Sequence, residues 1–138
     1  MINVYLTPIE RLDEYWPYIE EFMAGAARFT YGRYEAEDIY DLLAGGDHEL
    51  WVTYEDDETI IGATVTAVYN YPKTRTLSMV FCGGVRFAEW KDIIIPMLRE
   101  YAKMNGCDRL ESNARKGWAK IFKNDGYVQK SVYFELPL

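Results

Sequence analysis

The chain opens on an alternating stretch, "INVYL" (2–6), whose period of two reads as a short strand. Thr7 and Pro8 then stand as helix cap and first helical position, and Trp16, Ile19, Phe22 and Met23 recur at the three-to-four spacing of one helix face. Pro17, which has no amide proton, is a candidate break into two pieces. "AEDIYDLLAGG" (36–46) predicts a second short helix closed by Gly45-Gly46. The period then drops to two. "ELWVTYE" (49–55) alternates, "DDE" turns, and "TIIGATVTAVYNY" (59–71) is the returning arm of a hairpin. "PKTR" (72–75) makes the next turn and "TLSMVFC" (76–82) a third strand of that meander.

Beyond Gly83-Gly84 the rhythm becomes helical again. Trp90, Ile93, Ile94, Met97, Leu98, Tyr101 and Met104 lie on one face, Asn105-Gly106 closes the helix, and Pro96 predicts a kink or a late start. "DRLESN" (108–113) reads as a strand, "KGWAKIFKND" (116–125) as a helix and "YVQKSVYFEL" (127–136) as a final strand. The order β-α-α-β-β-β-α-β-α-β predicts an α/β (α+β) fold. An antiparallel meander runs into a β-α-β unit, giving a mixed sheet with helices on both faces. Gly83-Gly84 sits where strand meets helix. Glycines there make either a tight corner or a cradle, because free amides at a helix start attract anions and a missing Cβ lets a ligand approach.

Composition narrows the classes. At 138 residues, 49 % hydrophobic and 16 % aromatic, residues 1–138 are expected to form one domain with a real core. No apolar run reaches the length needed to span a bilayer, and "MINVYLTPIE" lacks the pattern of a secretory signal. Two cysteines, Cys82 and Cys107, fit a reducing compartment, so a cytoplasmic location is expected. The net charge of −7 divides unevenly: residues 1–58 hold 15 acids and 3 bases, residues 59–138 hold 7 acids and 12 bases. A phosphate-bearing ligand would favour the second half, and a cationic substrate or basic partner the first. No basic-aromatic motif points to nucleic acid, and the single histidine, His48, has no metal-ligand spacing around it. Cys82 at a helix start is a candidate thiolate, although no histidine accompanies it.

With this element order, the segments "CGGVRFAEW", "NGCDRLE" and "RKGWAKIFKNDGY" within residues 79–127 resemble the GNAT superfamily of acyl-CoA-dependent N-acyltransferases, in particular the divergent GNAT-like proteins carried by bacteriophages. The resemblance implies acetyl transfer from acetyl-CoA to an amine by direct attack, with no covalent intermediate. It implies a pantetheine arm between splayed strands and a diphosphate on the amides entering the following helix. Carried onto this chain, the cofactor residues are Phe81, Cys82, Gly83, Gly84, Val85 and Arg86, with Arg115, Trp118 and Phe122 from the last helix and its approach. Glu111 is the candidate base, and Tyr127 the candidate hydroxyl acid, because Phe122 stands where the family carries its tyrosine. The phosphate loop departs too, offering one adjacent glycine pair. The resemblance also allows a silent fold that binds a phage or host protein, as a virion, assembly or host-takeover component.

Overall fold

The alternating segments assemble one five-stranded sheet in the computed structural model, which describes residues 1–138. Its strands are β1 (Ile2–Thr7), β2 (His48–Glu55), β3 (Ile60–Asn70), β4 (Arg75–Gly84) and β5 (Arg109–Ser112), in the spatial order of the chain. β1 to β4 are antiparallel, while β4 and β5 are parallel and joined by a crossover helix. The mixed sheet expected from the sequence is therefore observed, with five strands in place of six.

The helices are α1 (Leu12–Ala27), α2 (Ala36–Ala44), α3 (Phe87–Met104) and α4 (Ala119–Asn124). Thr7 is not a cap. It belongs to β1, its hydroxyl donates to the Tyr5 carbonyl, and a 3-10 turn over Ile9–Arg11 precedes α1. Pro17 lies inside an unbroken α1 and Pro96 inside an unbroken α3. α2 starts with a reciprocal box, in which the Glu35 amide donates to the Asp38 carboxylate and the Glu35 carboxylate accepts from the Asp38 amide.

Two cores flank the sheet. Leu12, Ile19 and Met23 of α1 and Ile39 and Leu43 of α2 pack on Leu50, Val52, Val65 and Phe81. On the other face Trp90, Ile94 and Leu98 of α3 pack on Trp51, Leu77 and Met79. Burying each such side chain contributes about 1.5–3 kcal/mol.

The last strand expected at 127–136 does not form. Tyr127 is drawn onto Phe122 on the α3 face, at 4.6 Å between ring centroids. Tyr133 stacks on Tyr31, in the loop between α1 and α2, at 4.9 Å, and its hydroxyl accepts from Arg33. Pinned to two different parts of the molecule, the segment crosses between them instead of lying along β5, which is only four residues long. Val128, Val132, Phe134 and Leu136 are left exposed.

Candidate functional site

The β4–β5 ladder ends early. It pairs Thr76–Met79 with Arg109–Ser112, after which β4 runs on to Gly84 with no strand partner on that side. The departure begins at a bulge: Thr66 of β3 faces Met79 and Val65 faces Phe81, so Val80 has no partner across the ladder. The extra residue also resets the faces. Leu77 and Met79 pack with α3, Val80 and Phe81 both pack with α1, and Cys82 returns to the α3 side.

A cleft of about 420 Å³ fills the resulting gap. One wall is β4 from Met79 to Gly84, and the facing wall is Ser112–Arg115 with Trp118. α1 closes one side with Phe22, Gly25 and Ala26, and Arg28 and Phe29 just beyond it, while Phe87 and Trp90 of α3 close the other. The Arg115 guanidinium lies 3.9 Å from the centre of the Phe29 ring. Arg28 and Arg115 make the cleft lining cationic, against the single carboxylate of Glu21.

The head of the cleft answers the question raised by the glycine pair. Gly83 and Gly84 lie within β4, opposite Ala63 and Gly62. A Cβ on Gly83 would run into the Phe22 carbonyl, and one on Gly84, where φ is 148°, would lie 2.5 Å from the Ile61 carbonyl. The pair is demanded by close packing of α1 and β3. The corner itself is Val85-Arg86. The Val85 amide donates to the Ile61 carbonyl at 2.8 Å, and the Val85 carbonyl accepts from the Trp90 indole. Arg86 takes the left-handed conformation, φ 59°, which costs about 1–2 kcal/mol for a residue with a Cβ. The amides of Arg86, Phe87 and Ala88 make no backbone or side-chain hydrogen bond and open the N-terminus of α3.

Arg86 is already engaged. It donates to Glu89 from Nε at 2.6 Å and from Nη2 at 3.0 Å, and Nη2 also meets Glu55 at 2.7 Å. Glu89 and then Glu55 raise the Arg86 pKa, and Arg86 lowers that of Glu89. Cys82 is half-buried as a residue, yet its sulfur is enclosed beside the Thr64 hydroxyl at 3.5 Å, and burial pushes the thiol up to about 12. It is a neutral wall group, with no thiolate at neutral pH.

Of the residues named from the sequence, Phe81, Cys82, Gly83, Gly84, Arg115 and Trp118 line the cleft together, whereas Val85 and Arg86, between Gly84 and Phe87, do not line it. Phe122 does not line it, standing behind Trp118 at 5.4 Å between centroids. Tyr127 stands behind Phe122, its hydroxyl raised to about 12 by burial. Glu111 sits opposite Ser78 on β5, one residue before Ser112 at the cleft edge. The sequence reading did not find the α1 wall, although the small run Ala24-Gly25-Ala26 is its trace, or the Glu89 and Glu55 partners of Arg86.

No protein-family model and no curated protein sequence matches the chain. Solved structures do. The ribosomal-protein-alanine N-acetyltransferase of Brucella melitensis biovar Abortus 2308 superposes with a TM-score of 0.75 at 14 % identity over 100 % of both chains. The GNAT family acetyltransferase of Staphylococcus aureus gives 0.70 at 13 % over 99 % of this chain and 98 % of its own. The glucosamine-6-phosphate N-acetyltransferase of Arabidopsis thaliana gives 0.69 at 13 % over 99 % and 98 %. At these identities the likeness is one of fold. The chain has the GNAT fold, and these three structural neighbours are acetyltransferases.

Proposed function

We propose that the protein is an N-acetyltransferase that takes acetyl-CoA in the cleft between β4 and β5 and passes the acetyl group to an amine. The cleft behind the Val80 bulge carries this reading, because it exposes one main-chain edge of β4 over the length of an extended ligand arm. Val85 donates to β3, so ladder alternation turns the main-chain groups of Cys82 and Gly84 toward the open side. An arm bearing amides can pair there as an added strand would. The three free amides at the start of α3 suit a diphosphate, and Arg28 and Arg115 add charge for phosphates. Acetyl-CoA would supply an acyl group already activated toward a neutral amine.

The chain's own groups then have limited work. Glu111 is the base that accepts the amine proton at its carboxylate, through water across the cleft edge. Cys82 takes no part as a nucleophile, because its sulfur keeps its proton; attack is direct. The leaving thiolate, with a pKa near about 8.5, needs little help from an acid. A tyrosine at about 12 gives up a proton reluctantly, so Tyr127 serves the site by backing Phe122 and Trp118. The acceptor is an amine of a small metabolite or of a protein. On the motifs of residues 79–127 we read the gene as phage-borne and the location as the host cytoplasm.

The engagement of Arg86 by Glu89 and Glu55 favours a second reading, a silent GNAT-like fold that docks a phage or host protein and is carried in the virion. Acetyl-CoA titration by calorimetry separates the two, followed by a thiol-release assay over an amine panel. The enzyme reading expects a Kd below about 1 mM and thiol release with at least one amine. Ala114→Trp, at an exposed cleft position, should abolish binding in a folded protein. Absence of binding by the unaltered chain would sink the enzyme reading and leave the docking one.

A further inference from the structure

The C-terminal segment and the open edge of the sheet have complementary unmet needs. Residues 128–138 make no backbone–backbone hydrogen bond. Their apolar side chains Val128, Val132, Phe134, Leu136 and Leu138 fall on alternate positions, interrupted by Lys130, and all five are exposed, Phe134 at 87 %. Gln129, Ser131, Tyr133 and Glu135 make the other face. This is the period of a half-buried strand with nothing buried. β5 is the last strand of the sheet and pairs only with β4, so its outer main-chain edge stands open. Leu110 packs with the α3 core, Arg109 and Glu111 face the other way, and neither charge joins a salt bridge.

We propose that two copies of this chain exchange their C-terminal segments, each adding as an antiparallel strand to β5 of the other. The side chains select edge, direction and register. Residues opposite one another in a ladder share a face. Phe134 beside Leu110 puts the apolar positions on the α3 side, where Phe122 and Tyr127 already pack. Run antiparallel, that register sets Glu135 opposite Arg109, Tyr133 opposite Glu111 and Val132 opposite Ser112. Run parallel, it sets Glu135 against Glu111, two like charges. Pro137, without an amide proton, ends the strand. β1, the other edge, carries no charged side chain to fix a register. Within one chain the segment is held off β5, by Tyr127 on Phe122 and by Tyr133 on Tyr31 and Arg33. In the exchange Tyr127 stays anchored at home and Tyr133 lets go, leaving residues 128–131 to bridge about 13 Å between the two bodies. Both copies give and receive a strand, so the pair closes on a two-fold axis. The exchange does not depend on acetyl transfer.

Sedimentation equilibrium of the full-length protein tests it. The expected species is a dimer of the 16.1 kDa chain with a Kd of about 1–50 µM. Glu135→Arg should weaken it by about tenfold or more, and adding Arg109→Glu to that variant should restore it. The chain ended after Lys130 should be a monomer. Oxidation of the Ser112→Cys, Val132→Cys double variant should give a covalent dimer, its 112–132 link identified by mass spectrometry. A full-length monomer at about ten times that Kd, a dimer that persists without residues 131–138, or a pair of charge variants with no rescue overturns the proposal. A 112–132 link formed within one chain does the same, since the segment would then close on its own β5.

Discussion

Glu89 competes with any diphosphate for Arg86. Both partners are exposed, so the pair contributes little to stability, yet it occupies the guanidinium that a diphosphate at the start of α3 would otherwise engage. Glu89→Gln should tighten acetyl-CoA binding about three- to tenfold in a calorimetric titration, with stability unchanged within about 0.5 kcal/mol. Cys82 gives the residue scale its pH signature. Its folded pKa, about 12, lies above the ordinary 9.0, so the unfolded chain gives up the proton first as pH rises. The folded state therefore loses about 1.4 kcal/mol per pH unit between roughly 9 and 12. Tyr127 adds to the loss between its ordinary 10.0 and about 12. Cys82→Ser should flatten the alkaline fall in melting temperature, and iodoacetamide near neutral pH should spare Cys82 until urea unfolds the chain.

At the scale of elements, α1 rests on β4 more closely than side chains normally permit, because Gly83 has nothing to interpose against the Phe22 carbonyl. Gly83→Ala should cost about 1–3 kcal/mol in urea unfolding. Gly25→Ala, mid-helix and with open space around its Cβ position, should stabilise by about 1 kcal/mol. Periodicity made most of these elements readable in advance, since Ile94 and Leu98 or Val52 and Leu50 each answer to a single face. It could not register Val80, because a bulge is a relation between two strands and leaves one-strand spacing unchanged. The tail misled for a similar reason. "YVQKSVYFEL" alternates well enough for a strand, but Tyr31, far back along the chain, claims Tyr133, and Phe122, just before the segment, claims Tyr127. The Glu55 partner of Arg86 is likewise far off along the chain and left no local mark.

For the molecule as a whole, the last residues hang on few attachments. Tyr133 meets Tyr31 and Arg33, and the neighbouring apolar side chains meet little else. Ending the chain after Lys130 should leave the sheet and both cores intact and lower the melting temperature by no more than about 8 °C in calorimetry. A larger loss would mean that the tail is a structural member of the fold. The sign division seen in the sequence has a local counterpart in the structure. Arg115 of the basic half, joined by Arg28 of the acidic half, lines the cleft, while a smaller cavity at the far end has Glu49 in its lining. The wedge itself traces to one surplus residue. Excising Val80 would return strict alternation to the third meander strand with Phe81 still turned toward the first helix, and let the crossover partner zip alongside to the top. The molecule would then be a flatter, sturdier sheet with nowhere to put a guest.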